Sequence, residues 1–395
     1  MGRAHHTTVF LALLFMAVTL GVERGRAHKP ITSPFTYNED VFPIVRDRCA
    51  RCHVPEGVAP MSLVTYEDTV PWGESIRVEL LAGHMPPWSV DTAAARFRNA
   101  QPLSAREMNV LLTWATGGTP LGNPDTTPMP VTLDRRWPLG TPDVELQLRE
   151  FTLSEDKQED TAEFLVAPGF RERRWLRAVD LLPGTAAMVR AATVQIRSNA
   201  DDAATTGVEP MLAVWLPADD PVPAEGTAGF EVPAGAELVV RVRYKKTWQY
   251  ERKTMTDRST VGLYFAREAS TPIRAIALTP GAAAQAADAR RQTYRQTITE
   301  DVRALAIYPV DHPPNARIVV TAIAAHGARR ELIAFHPHRD WPRRYWFQEP
   351  IPLERGATLE TTVTIDDESP VLPPAPGASP RSAPVRLTLN VVPAR

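Results

Sequence analysis

The chain has 395 residues, 44% of them hydrophobic and 23% charged, and a formal net charge of −2, which excludes a general basic field for nucleic acid or anionic lipid. Two cysteines in the whole chain exclude a disulfide framework and a four-thiolate zinc site. The 38 prolines suit many short strands joined by proline-rich connections.

Residues Met1 to Ala27 read as a secretory signal peptide. Arg3 gives the positive start, Val9 to Val22 the apolar run and Gly25-Arg26-Ala27 the small-residue cleavage site. The apolar run is short of the ~20 residues of a membrane span, and association with a membrane is expected only if the segment is retained. A periplasmic, exported protein is the expectation. The mature chain, of about 370 residues, allows two or three domains.

Residues 28–122 are predicted to be a small helical unit. The first helix runs from Tyr37 to Arg51, with Val41, Ile44, Val45 and Arg48 at helical spacing and Pro43 in its first turns. It leads into Cys49-Ala50-Arg51-Cys52-His53. This C-x-x-C-H spacing is the attachment signature of c-type haem: two thiols add to two vinyl groups and the histidine ligates the iron. A thioredoxin-like redox pair would need a strand-to-helix context, which is absent here. One covalent haem c is therefore the expected cofactor. A second helix is predicted over Tyr66 to Ala82, with Trp72, Ile76, Leu80 and Leu81 on one face. A last one starts at Ser104, where Glu107 completes a capping box, and ends at Gly117-Gly118.

The other axial ligand is sought on the loop Gly83-His84-Met85-Pro86-Pro87-Trp88, where prolines restrict a thioether. Met85 is the choice, 32 residues after His53. His84 and Met61 are the alternatives, Met61 lying only eight residues after His53; Met108, on a helix, reads as core.

Residues 123–134 are a Pro/Thr-rich linker. Beyond it the period changes to alternation, over Asp143–Phe151, Ala192–Ile196, Ala236–Tyr244, Ser259–Phe265, Arg317–Ala322, Thr358–Ile365 and Val385–Val391. Two β-sandwiches are expected, over 135–270 and 271–395, with a short Ala-rich helix over Thr279–Arg291. His336-Pro337-His338, with His326 and His312, reads as polar loops and not as a metal site, and Asp366-Asp367-Glu368 as a solvated turn. Lys245-Lys246 and Arg343-Arg344 read as exposed charge.

The run from Phe35 to Gly118 resembles a class I cytochrome c. It is similar in particular to the N-terminal haem unit of bacterial fusions with a copper type II, ascorbate-dependent monooxygenase-like region. The resemblance is carried by Tyr37-Asn38-Glu39-Asp40-Val41-Phe42-Pro43-Ile44, the C-x-x-C-H, Ala59-Pro60-Met61-Ser62-Leu63, Thr65-Tyr66-Glu67-Asp68, Pro71-Trp72, Met85-Pro86-Pro87-Trp88, Phe97-Arg98-Asn99 and Leu103-Ser104. Further on it is carried by Trp137-Pro138-Leu139-Gly140, Arg174-Trp175-Leu176-Arg177-Ala178, Val232-Pro233-Ala234-Gly235-Ala236 and Glu349-Pro350-Ile351-Pro352-Leu353. It implies Met85 as axial ligand and a fold class of a small all-α cytochrome c domain followed by all-β tandem jelly-roll-like sandwiches, as in the enzymes that hydroxylate peptidylglycine or dopamine.

The copper ligands that the resemblance implies are missing. Arg190 and Ala191 stand where the family has a His-His pair, and Arg243 before Tyr244 where it has a histidine. Pro309-Val310-Asp311-His312 keeps one imidazole, and no methionine follows Met255. One histidine does not hold copper, so no copper and no catalytic residue is expected in the β region. The expectation is an exported monohaem electron-transfer protein whose β region docks it to a redox partner protein. The alternatives are a haem-fed monooxygenase and a structural subunit of a larger redox complex.

Overall fold

A computed structural model describes residues 32–87, 90–91, 95–99, 102–197, 211–217, 219–268, 271–280, 291–313, 315–338, 340–365 and 385–394. The leader at 1–27, Trp88, the break at Ser270, the core of the Ala-rich segment and Asp366-Asp367-Glu368 lie outside them. Among the described residues 40% are in strands and 16% in helices.

The first helical run is wide-turned. Turns of π type over Tyr37–Val41 and Val45–Cys49 flank α1 (Phe42–Ile44). Pro43 sits in the middle and supplies no amide hydrogen to the ladder. The helix predicted over Tyr66–Ala82 is divided at Pro71 for the same reason. It becomes α2 (Tyr66–Thr69), capped by the Thr65 hydroxyl, a 3-10 turn over Val70–Trp72 and α3 (Gly73–Leu81). Leu81, expected on the inner face, is exposed. In α4 (Ala105–Thr116) the capping box forms as expected: the Ser104 hydroxyl accepts from Glu107 N at 3.2 Å, and Ser104 N donates to the Glu107 carboxylate at 2.7 Å. Tyr37, Val41, Val45, Leu63, Leu111 and Trp114 form the buried cluster between these helices.

The first set of strands is β1 (Val144–Gln147), β2 (Phe151–Leu153), β3 (Glu159–Val166), β4 (Arg174–Leu182), β5 (Val189–Ile196), β6 (Met211–Trp215), β7 (Ala228–Val232), β8 (Leu238–Lys245), β9 (Met255–Asp257), β10 (Thr260–Phe265) and β11 (Thr271–Pro272). They make sheets of order β1-β10-β4-β7-β11 and β3-β8-β5-β6, with a small β2-β9 pair. The second set is β12 (Arg274–Leu278), β13 (Arg291–Thr297), β14 (Val302–Asp311), β15 (Ala316–Ile323), β16 (Arg329–Phe335), β17 (Tyr345–Leu353), β18 (Thr358–Ile365) and β19 (Arg386–Pro393). Their sheets are β12-β19-β14-β17 and β13-β18-β15-β16. Burial alternates along β15 and β18, which pair Val320 with Thr361 in antiparallel register, so one face of each strand enters the core.

The fold class is therefore not the one expected. The described chain is mostly strand, and its few short helices do not make a free-standing all-α cytochrome domain ahead of the sandwiches. The tertiary contacts show why. Residues 90–91 and 95–99, assigned by sequence to the helical unit, are built onto the second pair of sheets. Val90 bridges to Phe335 and Phe97 to Phe347. Asp91 N donates to Ala334 O, Arg98 N to Trp346 O and Gln348 N to Arg96 O, each at 2.8 Å. Phe97 is buried in the same core as Tyr345 and Phe347. The 123–134 linker is likewise packed, with Val131 and Leu133 lying against Ala50, Val54 and Val64.

Candidate functional site

The helical run delivers Cys49 to the start of a tight turn. Cys52 N and His53 N both donate to Cys49 O, at 3.0 and 2.9 Å, which gathers the two thiols and the imidazole within one turn. Ala59 N returns to Cys52 O at 3.1 Å and Leu63 N to His53 O at 3.1 Å, closing the following loop over them. Gly57 permits this closure, because a Cβ there would run into Cys52 O and Val54 O.

These residues form one wall of a cavity of about 580 Å³, within the usual size of cofactor sites. Its other walls are largely apolar, with Trp72, Ile76, Leu80, Leu111 and Trp114 from the helices. Met61 and Met85 both line it. The His53 ring donates through Nδ1 to Met61 O at 3.1 Å, which fixes the tautomer and leaves Nε2 as the lone-pair nitrogen. Burial holds the His53 pKa below its usual value, so the imidazole is neutral, the state a metal requires. Burial pushes the thiols up, Cys49 to about 12 and Cys52 to about 11. Both are free thiols. A redox pair activates one thiol by lowering its pKa, so this environment is the opposite of a thioredoxin-like site.

The competing axial candidates separate. Met61 has its backbone behind His53, on the Nδ1 side, away from the open Nε2. His84 is exposed and sits 3.0 Å from the Glu79 carboxylate at the rim. Met108 packs among the helices and is not part of the cavity wall. Met85 is half-buried in the wall.

The sequence did not suggest that the β region closes this cavity. Arg190 of β5, Lys245 of β8, and His338, Asp340 and Trp341 from the β16–β17 loop line its remaining side. Arg243 and Lys245 converge on the Asp340 carboxylate at 2.6 and 2.8 Å. These cations hold the Asp340 pKa below its ordinary value against the opposing effect of burial. Arg343, with its partner Asp219 at 2.8 Å, also donates to Pro87 O at 3.0 Å, just beyond the methionine. Arg51 forks onto Asp220 at 2.7 and 2.8 Å, tying the turn that carries Cys49 and Cys52 to the loop of Asp219. The expectation that Lys246, Arg343 and Arg344 are exposed charge is thus corrected: they are 4%, 2% and 4% exposed. Arg344 donates to Leu212 O and Met211 O and lies over the Phe230 and Trp346 rings.

The positions where the resemblance implied copper ligands are occupied otherwise. Arg190 donates to Val58 O, Ala191 is buried and Arg243 pairs with Asp340. Val310 is exposed, and the His312 ring contacts Pro313 O at 3.1 Å. His326 and His336 lie away from the cavity wall, and only His338 of that trio reaches it. Among the described residues no group of three or more His, Cys, Asp or Glu side chains could hold a metal ion, and no helix is long and apolar enough to cross a membrane.

No protein-family model matches the chain, and no curated protein matches it. Among solved structures it is similar to A223, a turret protein of Sulfolobus turreted icosahedral virus, at 12% identity and a TM-score of 0.17 over 63% of this chain and 99% of that one. A Paenibacillus xanthan lyase shows 9% identity and a TM-score of 0.15 over 70% of this chain and 28% of that one. Pumpkin pro-11S globulin shows 8% identity and a TM-score of 0.12 over 57% and 85%. At such scores the likenesses assign neither fold nor function.

Proposed function

We propose that the chain is an exported electron-transfer protein that carries one covalent haem c, with the β region serving to hold the site and to present it to a redox partner protein. The observation that supports this most is the single turn that brings two reduced thiols and a neutral imidazole to the wall of an apolar cavity of about 580 Å³. The residues present fit the group. Cys49 and Cys52 would hold the group covalently through their sulfurs. His53 offers Nε2 to the iron, while Met61 O holds its other nitrogen. Met85, which lines the same cavity, would supply the thioether as second ligand. Bound haem would supply a one-electron iron couple, whose potential a Met/His ligand pair raises. The apolar walls exclude water from the iron, and no side chain positioned for proton transfer or substrate binding is required of them.

The test is expression in a host that attaches c-type haem in its periplasm. Denaturing electrophoresis should show haem that stays with the wild-type chain, and Cys52→Ala should weaken its retention. Colour lost from the wild type on denaturation refutes the assignment. Ferric wild type should show the weak near-infrared band of methionine ligation, which Met85→Ala should abolish together with a fall in potential. A band that survives in Met85→Ala and vanishes in Met61→Ala would move the ligand to the other loop.

A further inference from the structure

We propose that Arg190, on β5 of the first sandwich, anchors a haem propionate, so that a side chain far from the attachment motif holds the cofactor's acidic edge and sets its potential. This rests on the haem reading above.

Arg190 is 8% exposed and lines the cavity that holds Cys52 and His53. Its Nη1 donates to Val58 O, on the loop that follows the attachment turn, which fixes the guanidinium on the Cys52 side. Its Nε has no hydrogen-bond partner although it is buried. A buried guanidinium normally pairs its planar fork with a carboxylate or satisfies it with several carbonyls. The neighbouring buried arginines do so: Arg343 has a two-point pair with Asp219, and Arg344 has two carbonyls and two ring faces. Arg190 has a single carbonyl.

The nearest acid does not complete it. Asp340 is engaged by Arg243 and Lys245 at 2.6 and 2.8 Å, and Glu159 lies on the same two cations. Three cations therefore face two carboxylates at this side of the cavity. Burial lowers the Arg190 pKa, with Asp340 acting against this, so the charge is held at a cost that an incoming anion offsets. Haem would bring two carboxylates, carried on other pyrroles than the vinyls, and the cavity that Cys52 and His53 line extends to Arg190. A contact of the second amino nitrogen with one propionate is what this geometry leaves open, and a turn of the side chain would bring Nε out to complete a fork.

The experiment uses wild type, Arg190→Gln and Arg190→Lys as purified holoproteins. The three readouts are haem per chain, midpoint potential and the resonance Raman bending band of the propionates. Arg190→Gln should keep one haem per chain, show a lower potential and shift the propionate band. The potential falls because a cation near the iron disfavours the ferric state, and its loss relieves that effect. Arg190→Lys should recover most of the potential but not the band position, since an ammonium restores charge without the fork. Full haem with unchanged potential and band in Arg190→Gln overturns the anchor and leaves the haem reading standing. Wild type without covalent haem overturns both. Should Arg190→Gln not fold, the wild-type band measured in light and heavy water decides: an isotope shift supports a propionate held by exchangeable donors, and its absence overturns the proposal.

Discussion

The helical region and the sandwiches bury apolar surface in different ways. Between the sheets, side chains from facing strands close on one another: Val240, Val242, Leu238 and Leu263 in the first core, and Leu332, Ile333, Val320 and Leu389 in the second, are all fully buried. Ala306 and Trp346, on strands of the second pair, pack into the first core, so the two are continuous. The helices enclose a void instead, and Leu111 and Trp114 are shielded from solvent yet face the cavity. Close packing is the norm for a protein interior, so a large apolar cavity ringed by short helices marks a region that is completed by something bound. The sheets complete themselves, and their loops also contact the helical region through the Arg51–Asp220 pair and the bond from Arg343 to Pro87 O.

The contrast can be broken most directly by denying the helices their ligand. In a chain with Cys49→Ala and Cys52→Ala, which carries no covalent haem, amide hydrogen exchange should accelerate by about tenfold or more over α3 and residues 37–53. β14, β15 and β19 should keep their protection. Equal protection of both regions, relative to the haem-bearing wild type, would show that the helices need no filler.

A smaller effect sharpens the same point. Leu389→Ala removes a fully buried side chain from a filled core and should cost ~2–5 kcal/mol in denaturant unfolding. Leu111→Ala, made in the haem-free chain, should cost less, because short helices around a cavity can relax into the space left more readily than a packed sheet core. A cost for Leu111→Ala as large as that for Leu389→Ala would mean that the cavity collapses when empty.

The smallest concerns the seam between the regions. Asp180 is 2% exposed at a second cavity of about 610 Å³, where it accepts from Leu181 N at 2.8 Å. Burial pushes its pKa up to about 7, with Asp220 adding to the effect. The folded state then binds more protons than the unfolded one between about pH 4 and 7, so stability falls as pH rises through that window. Asp180→Asn keeps the acceptor without the charge and should flatten this dependence. The gain at pH 8 should be about 1–3 kcal/mol, read as a shift in urea midpoint, with no gain at pH 4. A variant with the slope of the wild type would place the titration elsewhere.

The clustering of the two thiols and the imidazole was legible because it is local. Cys49, Cys52 and His53 are brought together by a single turn, and residue spacing alone specifies that turn. The capping box at Ser104 and Glu107 was legible for the same reason. So was the alternation of β15 and β18, since a period of two needs only the sequence and one buried face, whereas β10 and β19, also expected as strands, are buried on both faces. The fold class was not, because the loop after Met85 could not be seen to cross onto β16 and β17: the bonds of Asp91 and Arg98 reach partners more than two hundred positions away. The same distance hid the fate of Arg190, Arg343 and Arg344. By composition they are surface residues, and only partners such as Val58, Asp219 and Leu212, each more than a hundred residues away in the chain, decide that they are buried. Spacing thus determined that Cys49, Cys52 and His53 share one turn. The tertiary structure decided what surrounds that site, because burial and charge pairing depend on which segments meet in space.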